Sequence, residues 1–433
     1  MLVCPMDWGL GHASRCVPVI RAFVDAGCHV VVAAGGGGRQ LIEKEFGTGK
    51  GGEAAGSFQR PLFVDFPGFR VSWPGRFPLL KFILRLPSFL LHIRRERRAL
   101  ARLVREHGAG IVVSDNRYGL VHEGVVSVMI THQLRPSLPP VLRVMEGLVA
   151  MVVRRMVSRF DECWIPDCPG APTAGALAGG WERLPSAVFV GRLSRFAITE
   201  TNGRVNGQRE SVPAGPSGEV GEGAVEKAGS NSGREQVVFG ELGKYGGYRF
   251  LFVMSGPEPQ RSLFEEKVRE IMRGRGDRSL LVRGVPGGNI EGEGGGYLAA
   301  SSGELEVVPF LDGRGLMKAM EMSELVVCRS GYSSVTDLLV AAKRAVLVPT
   351  PGQTEQEYLG RWLDGKGGFR VIKQRELTME RLMEVLEAGE AGHSRDSFGK
   401  MQAGVKDQCN DGTLLLTQVA AVIERCCSDG SRH

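Results

Sequence analysis

Two successive α/β units, each built on a parallel sheet, are the fold class this sequence predicts. Its 433 residues exceed the size at which one hydrophobic core keeps growing, so two domains are the default. Both halves alternate short apolar runs with amphipathic helical stretches, the pattern of strand–helix–strand units. In each half the first apolar run ends in a glycine-containing turn, and a helix begins shortly after it.

Taken in order, Leu2–Met6 reads as the first strand and Asp7–His12 as a turn. Ala13–Ala26 reads as a helix with Val17, Ile20, Phe23 and Val24 on one face. Val30–Ala34 is the second strand and ends at the glycine run Gly35–Gly38. Strands follow at Gly110–Ser114, before Asp115-Asn116-Arg117, and at Val125–Thr131, before His132-Gln133. Val188–Arg192 looks like the last strand of the first half. The second half offers strands at Arg249–Met254, Ser279–Val282, Leu305–Val308, Leu325–Cys328 and Ala345–Pro349, and a helix from about Ser262 to Met272. Three polar or glycine-rich stretches, Gly47–Ser57, Thr201–Gln236 and Pro286–Gly303, lack apolar periodicity. The second of them cannot bury enough surface to offset its ordering entropy and is expected to be a disordered insertion. The expected division is residues 1–195, an insertion at 196–236, a second unit at 237–405, and a C-terminal helix and tail at 406–433.

An apolar content of 42% suits a globular chain with two cores. The net charge of +6 permits attraction to anionic lipid, nucleotide phosphate or nucleic acid without choosing among them. Nine cysteines lie mostly in apolar segments with no CxxC spacing, so reduced buried thiols in a cytoplasmic protein are expected rather than a metal site or disulfides. Cys426-Cys427 is not followed by a prenylation motif. The first residues lack the basic start of a signal peptide, and no apolar run reaches the roughly 18 residues that span a bilayer.

The segment richest in chemistry runs from Val326 through Arg329-Ser330-Gly331-Tyr332-Ser333 to Asp337. It continues through Ala345–Pro349 to Gln353-Thr-Glu-Gln356-Glu357-Tyr358. This is strand, glycine turn, helix start, strand, loop. Backbone amides at Gly331–Ser333 and the positive helix end suit a diphosphate held without a metal. Asp337, about two turns into the helix, suits ribose hydroxyls. Gln356 and Glu357, at the carboxyl end of a strand, suit the hydroxyls of a sugar. A glycine-serine loop before a helix is also an ordinary structural turn.

In the first half, Asp7-Trp-Gly9-Leu-Gly11-His12 directly follows the first strand, and its glycines let a ligand approach the backbone closely. A neutral imidazole suits removal of a proton from a hydroxyl, and Asp115, at the end of a later strand, has the topology to orient His12. A histidine at a helix start is equally a cap, His132 is an alternative base, and Asp115-Asn116-Arg117 is equally a loop held by its own side chains. A dinucleotide site is excluded: Gly9-x-Gly11 lacks the third glycine, and no acidic residue follows Ala34. Phe77–Leu91 is apolar with Lys81 and Arg85 interspersed, and Arg94, Arg95, Arg97, Arg98, Arg102 and Arg105 follow. Such a patch suits an anionic membrane surface and a lipid-linked acceptor; over residues 89–105 a helix packed on the sheet with its arginines solvated is preferred. No aromatic-interleaved basic stripe supports nucleic-acid binding.

The segment from Val326 to Tyr358 closely resembles the donor-binding region of glycosyltransferase family 28, whose best-known member transfers N-acetylglucosamine onto the lipid precursor of peptidoglycan. The resemblance implies the GT-B fold, two Rossmann-like domains facing each other across a cleft, and an inverting, metal-independent transfer from a UDP-sugar with no cofactor. It implies donor contacts from Arg329, Ser330, Gly331, Tyr332, Ser333, Asp337, Gln353, Gln356 and Glu357. Pro309-Phe310-Leu311-Asp312 resembles the family's base-reading loop, with Phe310 over the ring and Leu311 at its edge. Ser255, Gly256 and Arg261 occupy the place of its first phosphate loop, here with Gly-Pro-Glu-Pro instead of a glycine-rich run. The N-terminal loop resembles the family's glycine-rich loop ending in histidine. That implies His12 and Asp115 as catalytic residues, with Gly9, Gly11, Asn116, Arg117 and His132 on the acceptor side. The shorter loop points to a relative acting on another lipid-linked or small acceptor, placed in the cytoplasm or at the inner face of the membrane. A sugar-nucleotide epimerase or hydrolase, or a non-catalytic binding protein, are the alternatives on the same scaffold.

Overall fold

The structure, a computed structural model, describes residues 1–47, 60–66, 78–170, 172–196, 247–287, 305–390, 409 and 412–430, with the side chains of 78–90, 389–390 and 429–430 excepted. The first unit runs β1 (Leu2–Cys4), α1 (Leu10–Asp25), β2 (Val31–Ala33), α2 (Gly36–Phe46), β3 (Leu62–Val64), α3 (Pro78–His107), β4 (Ile111–Asp115), β5 (Val126–Ile130), α4 (Glu146–Val157), β6 (Glu162–Ile165) and β7 (Ala187–Phe189). Its strands form a seven-stranded sheet in the order β3-β2-β1-β4-β5-β6-β7, parallel at every pairing.

The second unit runs β8 (Tyr248–Val253), α5 (Gln260–Met272), β9 (Ser279–Val282), β10 (Leu305–Val308), α6 (Gly313–Glu321), β11 (Ser323–Cys328), α7 (Tyr332–Val340), β12 (Ala345–Leu347), α8 (Thr354–Leu363), β13 (Phe369–Val371) and α9 (Met379–Glu390). Its six-stranded order, β10-β9-β8-β11-β12-β13, repeats the first, again with every pairing parallel.

Successive strand residues point to opposite faces of a sheet, and the first unit uses both. Val3, Val32 and Val113 join α1 in one core. Their neighbours Leu2, Cys4, Val31, Ala33 and Val112 join Leu100, Leu103 and Val104 of α3 in another. Strands buried on both faces read as continuous apolar runs, as a helix-covered parallel sheet requires. A further core crosses between the units, packing Met129, Leu134 and Ile165 with Val326, Tyr332, Val335 and Leu339. The last helix, α10 (Thr413–Gly430), returns to the first unit. Leu415, Val419 and Val422 complete its core, and Arg425 meets Glu162 at 2.9 Å.

Several boundaries differ from expectation. The helix predicted from Ala13 begins at Leu10, so His12 lies inside its first turn rather than ahead of it. The glycine run starts α2 instead of ending as a loop. Strands β3, β6 and β13 lie where no strand was predicted; Pro61 and Asp65 bound the first, Glu162 begins the second and Arg370 interrupts the third, so none reads as an extended apolar run. On α3, Leu100 and Leu103 are buried while Arg94, Arg95, Arg98, Arg102 and Arg105 face solvent, the solvated-face reading. Residues 78–90 are helical, but their side chains and residue 77 lie outside the described residues, as does the insertion at 201–236. Among the described residues no helix is long and apolar enough to cross a membrane.

Candidate functional site

In both sheets the strand order reverses between two neighbours, β1 beside β4 and β8 beside β11. Loops leaving such a pair diverge to opposite faces and open a crevice at the carboxyl ends. His12 follows β1 and Asp115 ends β4. They therefore meet: His12 Nδ1 lies 2.8 Å from Asp115 Oδ2, with His12 17% exposed and Asp115 wholly buried.

Arg15, one helical turn beyond His12, completes the group. Its Nε donates to Asp115 Oδ1 at 2.8 Å, and its Nη2 donates to the same oxygen. Nη2 also lies 2.8 Å from His12 Nδ1, but a guanidinium only donates. Arg15 is served by Oδ1, whereas Oδ2 of this buried carboxylate has His12 as its donor. Both contacts fall on one nitrogen: a proton on Nδ1 serves Asp115 and leaves Nε2 its lone pair, whereas a bare Nδ1 serves Arg15. Burial alone would raise the Asp115 carboxyl, yet the Arg15 guanidinium and His12 hold it below its ordinary value.

The third Arg15 contact, Nη1 to His132 Nδ1 at 2.9 Å, leads out of the first unit. His132 Nε2 meets Glu355 Oε1 of α8 at 2.9 Å, and the imidazole stacks on Tyr332 with centroids 4.0 Å apart. Burial pushes the His132 imidazole down against the pull of Glu355, so the ring is neutral, accepting at Nδ1 and donating from Nε2. This corrects the reading of His132 as an alternative base, since both its nitrogens are occupied.

Two helix N-termini converge across the cleft. Ser333 Oγ, in the first turn of α7, donates to the Gly11 carbonyl, in the first turn of α1, at 2.8 Å. Neither helix carries an acidic residue in its own first turn, and this bond brings their positive ends together, with the Asp115 carboxylate beside that of α1. Gly331, which precedes α7, has φ −74, open to any residue. A Cβ there would find its nearest neighbour, Gln356 Nε2, at 3.9 Å. Neither backbone conformation nor protein packing demands glycine at 331; the space in front of the helix is left open. Gly9 at φ +98 and Gly256 at φ +101 do need glycine, and a Cβ at either would meet nothing within 4 Å.

The remaining expected donor residues are largely engaged within the protein. Asp337 is buried, accepting from Ser194 Oγ at 2.7 Å beside Arg195 Nε at 3.4 Å, and burial raises its carboxyl against both. Arg329 is wholly buried. It donates to the Gln260 carbonyl at 2.8 Å, lies over the Phe264 ring and is pushed down to about 10 by burial, so it braces the sheet. Arg261 pairs with Glu258 and Glu265. Tyr332 donates its hydroxyl to the Pro166 carbonyl, and Ser330 Oγ donates to the Gln356 carbonyl at 2.8 Å. Gln356 Oε1 and Glu357 Oε1 accept from the Thr350 and Gly352 amides, which shapes the loop that Gln353 ends as the cap of α8. Leu311 packs in the shared core, and Phe310 lies beneath Lys44 of α2, 5.3 Å from ring centre to Nζ. Ser255 is half-buried at the end of β8.

On the acceptor side, Arg117 is corrected to a structural brace. It is buried and bonded to Glu96 at 2.7 Å, Asp7 at 2.7 Å and the Pro5 carbonyl at 2.8 Å. Asn116 holds φ 54, and its buried Oδ1 has no hydrogen-bond partner; such strain persists where surroundings impose it. Arg15 and Glu355 were not among the expected residues. Arg15 had one signal, a cation amid the otherwise small and apolar run Ala13–Ile20. Glu355 had none, because its partner lies 223 positions away.

Residues 293–409 match the model of the glycosyltransferase family 28 C-terminal domain, in agreement with the resemblance of the donor-side segment. A UDP-N-acetylglucosamine--N-acetylmuramyl-(pentapeptide) pyrophosphoryl-undecaprenol N-acetylglucosamine transferase of Sinorhizobium medicae is 34% identical over 113 residues, 26% of this chain and 29% of that protein. The match thus spans less than a third of that relative's length. Over 98% of both chains the fold matches the glycotransferase of kitacinnamycin (TM-score 0.57, 14% identity). It also matches CalG4, the calicheamicin glycosyltransferase, over 98% of both chains (TM-score 0.56, 11% identity). The chain has the GT-B fold.

Proposed function

We propose that this protein is an inverting glycosyltransferase that takes its sugar from a UDP-sugar and binds the diphosphate without a metal ion. The observation that carries the proposal is the meeting of the N-termini of α1 and α7 beside the open space at Gly331. Main-chain N–H groups aimed at one region stabilise a departing diphosphate with no reorganisation. The matched relative's printed name, a UDP-sugar transferase, supports the same donor class.

In the reaction, His12 Nε2 takes the proton of an acceptor hydroxyl while Asp115 holds Nδ1–H. The acceptor oxygen bonds to the anomeric carbon from the face opposite the diphosphate, and the bond to the phosphate oxygen breaks. UDP leaves with the electron pair toward Gly331–Ser333, and configuration inverts. Purified protein incubated with UDP-sugars, with and without polyprenyl phosphate lipids and with chelator present, tests this. Release of UDP only with acceptor is expected. Gly331→Ala should keep its melting temperature and bind UDP at least tenfold more weakly, about 1.4 kcal/mol. His12→Ala should keep UDP affinity and lose about 10²–10⁴-fold in turnover. UDP release without acceptor would instead identify a hydrolase, and unchanged binding by Gly331→Ala would remove the diphosphate site.

The acceptor side we propose is a lipid-linked hydroxyl presented at an anionic membrane surface on the cytoplasmic side. Support comes from a different segment than residues 77–91. Val141, Val144, Leu148, Met151 and Val152 recur at helical three- and four-residue spacing along a short 3-10 turn and α4. All five are exposed, Val144 by 94%, and Arg143, Arg155 and Arg159 in the same segment also face solvent. An apolar stripe with cations beside it matches an anionic bilayer. Val144→Glu with Met151→Glu should abolish co-sedimentation with phosphatidylglycerol vesicles and leave the melting temperature unchanged.

A further inference from the structure

The Arg15–His132–Glu355 arm performs no bond-making step in this reading, yet it joins the proposed base to the donor-side unit. One hydrogen-bonded chain runs from His12 Nδ1 to Asp115 Oδ2 at 2.8 Å, from Asp115 Oδ1 to Arg15 Nε at 2.8 Å, from Arg15 Nη1 to His132 Nδ1 at 2.9 Å, and from His132 Nε2 to Glu355 Oε1 at 2.9 Å. Every member except Glu355 belongs to the first unit. Glu355 lies in the first turn of α8, beside Thr354, whose Oγ1 donates to the Ser137 carbonyl at 2.7 Å. The arm is therefore complete only when α8 sits against the first unit.

We propose that Arg15 is a positioning residue, and that Glu355 couples it to closure of the cleft, so that His12 is held as a base only while the two units are together. The inference rests on the reading of His12 as the base and adds a regulation of that same site.

The donor and acceptor chemistry of the chain supports the coupling. With Glu355 in place, the Nε2–H of His132 has an acceptor, Nδ1 is bare, and Arg15 Nη1 has somewhere to donate. Arg15 is then fixed in the plane in which Nε and Nη2 both reach Asp115 Oδ1, leaving Oδ2 to His12. Without Glu355, the His132 proton is free to move to Nδ1, where it opposes the Arg15 N–H. The guanidinium must then turn out of the plane that reaches Asp115 Oδ1, and Nη2, already 2.8 Å from His12 Nδ1, is left with that nitrogen as its acceptor. That contact selects the other His12 tautomer, with the proton on Nε2, and an Nε2–H accepts no proton from a hydroxyl. One guanidinium thereby enforces opposite tautomers on two histidines, and a carboxylate from the other unit holds it in place.

The experiment is ¹⁵N spectroscopy of the full chain labelled at histidine, recorded where the imidazoles are neutral, with His12→Gln and His132→Gln assigning the signals. The wild type should show His12 protonated at Nδ1 and His132 protonated at Nε2. Glu355→Ala should turn both into tautomer mixtures, while Glu355→Gln, whose Oε1 still accepts, should restore the wild-type pattern. Arg15→Lys should fail to restore it, because one ammonium cannot serve two partners with a planar fork. In turnover, Glu355→Ala should lower kcat by up to about 100-fold with UDP affinity within twofold of the wild type. A His12 signal that stays wholly Nδ1-protonated in Glu355→Ala overturns the inference, as does a loss confined to UDP affinity. A wild type that turns over no UDP-sugar while its histidines respond in this way overturns the functional reading and leaves the coupling intact. Glu355 is partly exposed, so its variants test the proposal even where Arg15→Lys fails to fold.

Discussion

Arg15 donates through three of its nitrogens and accepts through none, so it sorts its neighbours into acceptors. That property, applied to a buried carboxylate and two imidazoles, decides which nitrogen of His12 is left to act. It also makes stability depend on pH. The Asp115 carboxyl lies below its ordinary value in the folded state, so its contribution is present above the unfolded value near 4 and is lost as pH falls through the folded value. His132 also lies below its ordinary value. Its neutral form is favoured by folding, and stability falls once pH drops below the unfolded value near 6.5. Urea midpoints measured from pH 8 to pH 3 should therefore decline in two stages. His132→Gln should remove the upper stage, and Asp115→Asn should shrink the lower one, which Glu265 and Glu355, also held below the ordinary carboxyl value by their cationic or imidazole partners, share. The pairing of His12 with Asp115 was legible in the sequence because both stand at the carboxyl ends of apolar strands in one sheet. The arginine between them was not, since a charge within a helix carries no label for what it faces.

At the scale of elements, the glycine loops show how differently the same residue is used. Gly331 faces open space, whereas Gly11 leaves room for the other half of the molecule: a Cβ there would lie 3.1 Å from Ser333 Oγ and 3.3 Å from Ser333 Cβ. Gly11→Ala should force Ser333 to give up its bond to the Gly11 carbonyl, worth about 1 kcal/mol, and lower turnover. Adding Ser333→Ala should recover part of the loss, a coupling that a double-mutant cycle reads directly. Strands of five or six residues, such as β4 and β11, were visible in the sequence as apolar runs. Three-residue β2 and β12 were visible too, because apolar residues extend them, whereas β3 stands between Pro61 and Asp65 and β13 carries Arg370 at its centre.

For the whole molecule, the return of α10 to the first sheet is the feature that sequence order hides. Leu415 is buried in the same core as Val3, Ile20 and Val113, although it follows the second sheet in the chain. Leu415→Ala should cost about 2–5 kcal/mol, read as a lower urea midpoint, and should speed hydrogen exchange first in α1 and β4 rather than in the neighbouring second unit. The core shared between the units has a similar consequence: Tyr332 and Val335 stand beside the site and inside that core, so packing and cleft geometry are not separable there.

The sequence by itself determined the two parallel α/β units, the positions of most strands along the chain, and the glycine turn before α7. These follow from period, length and turn chemistry, all of which act over a few residues. Tertiary structure decided which charged groups meet at the cleft and which brace one unit. Arg117 and Arg329 are alike in the sequence, yet both brace the fold, while Arg15 and Glu355 join at the cleft. Whether a guanidinium braces the fold or joins the cleft depends on which carbonyls and carboxylates burial brings to it, and those partners come from positions up to 112 residues away.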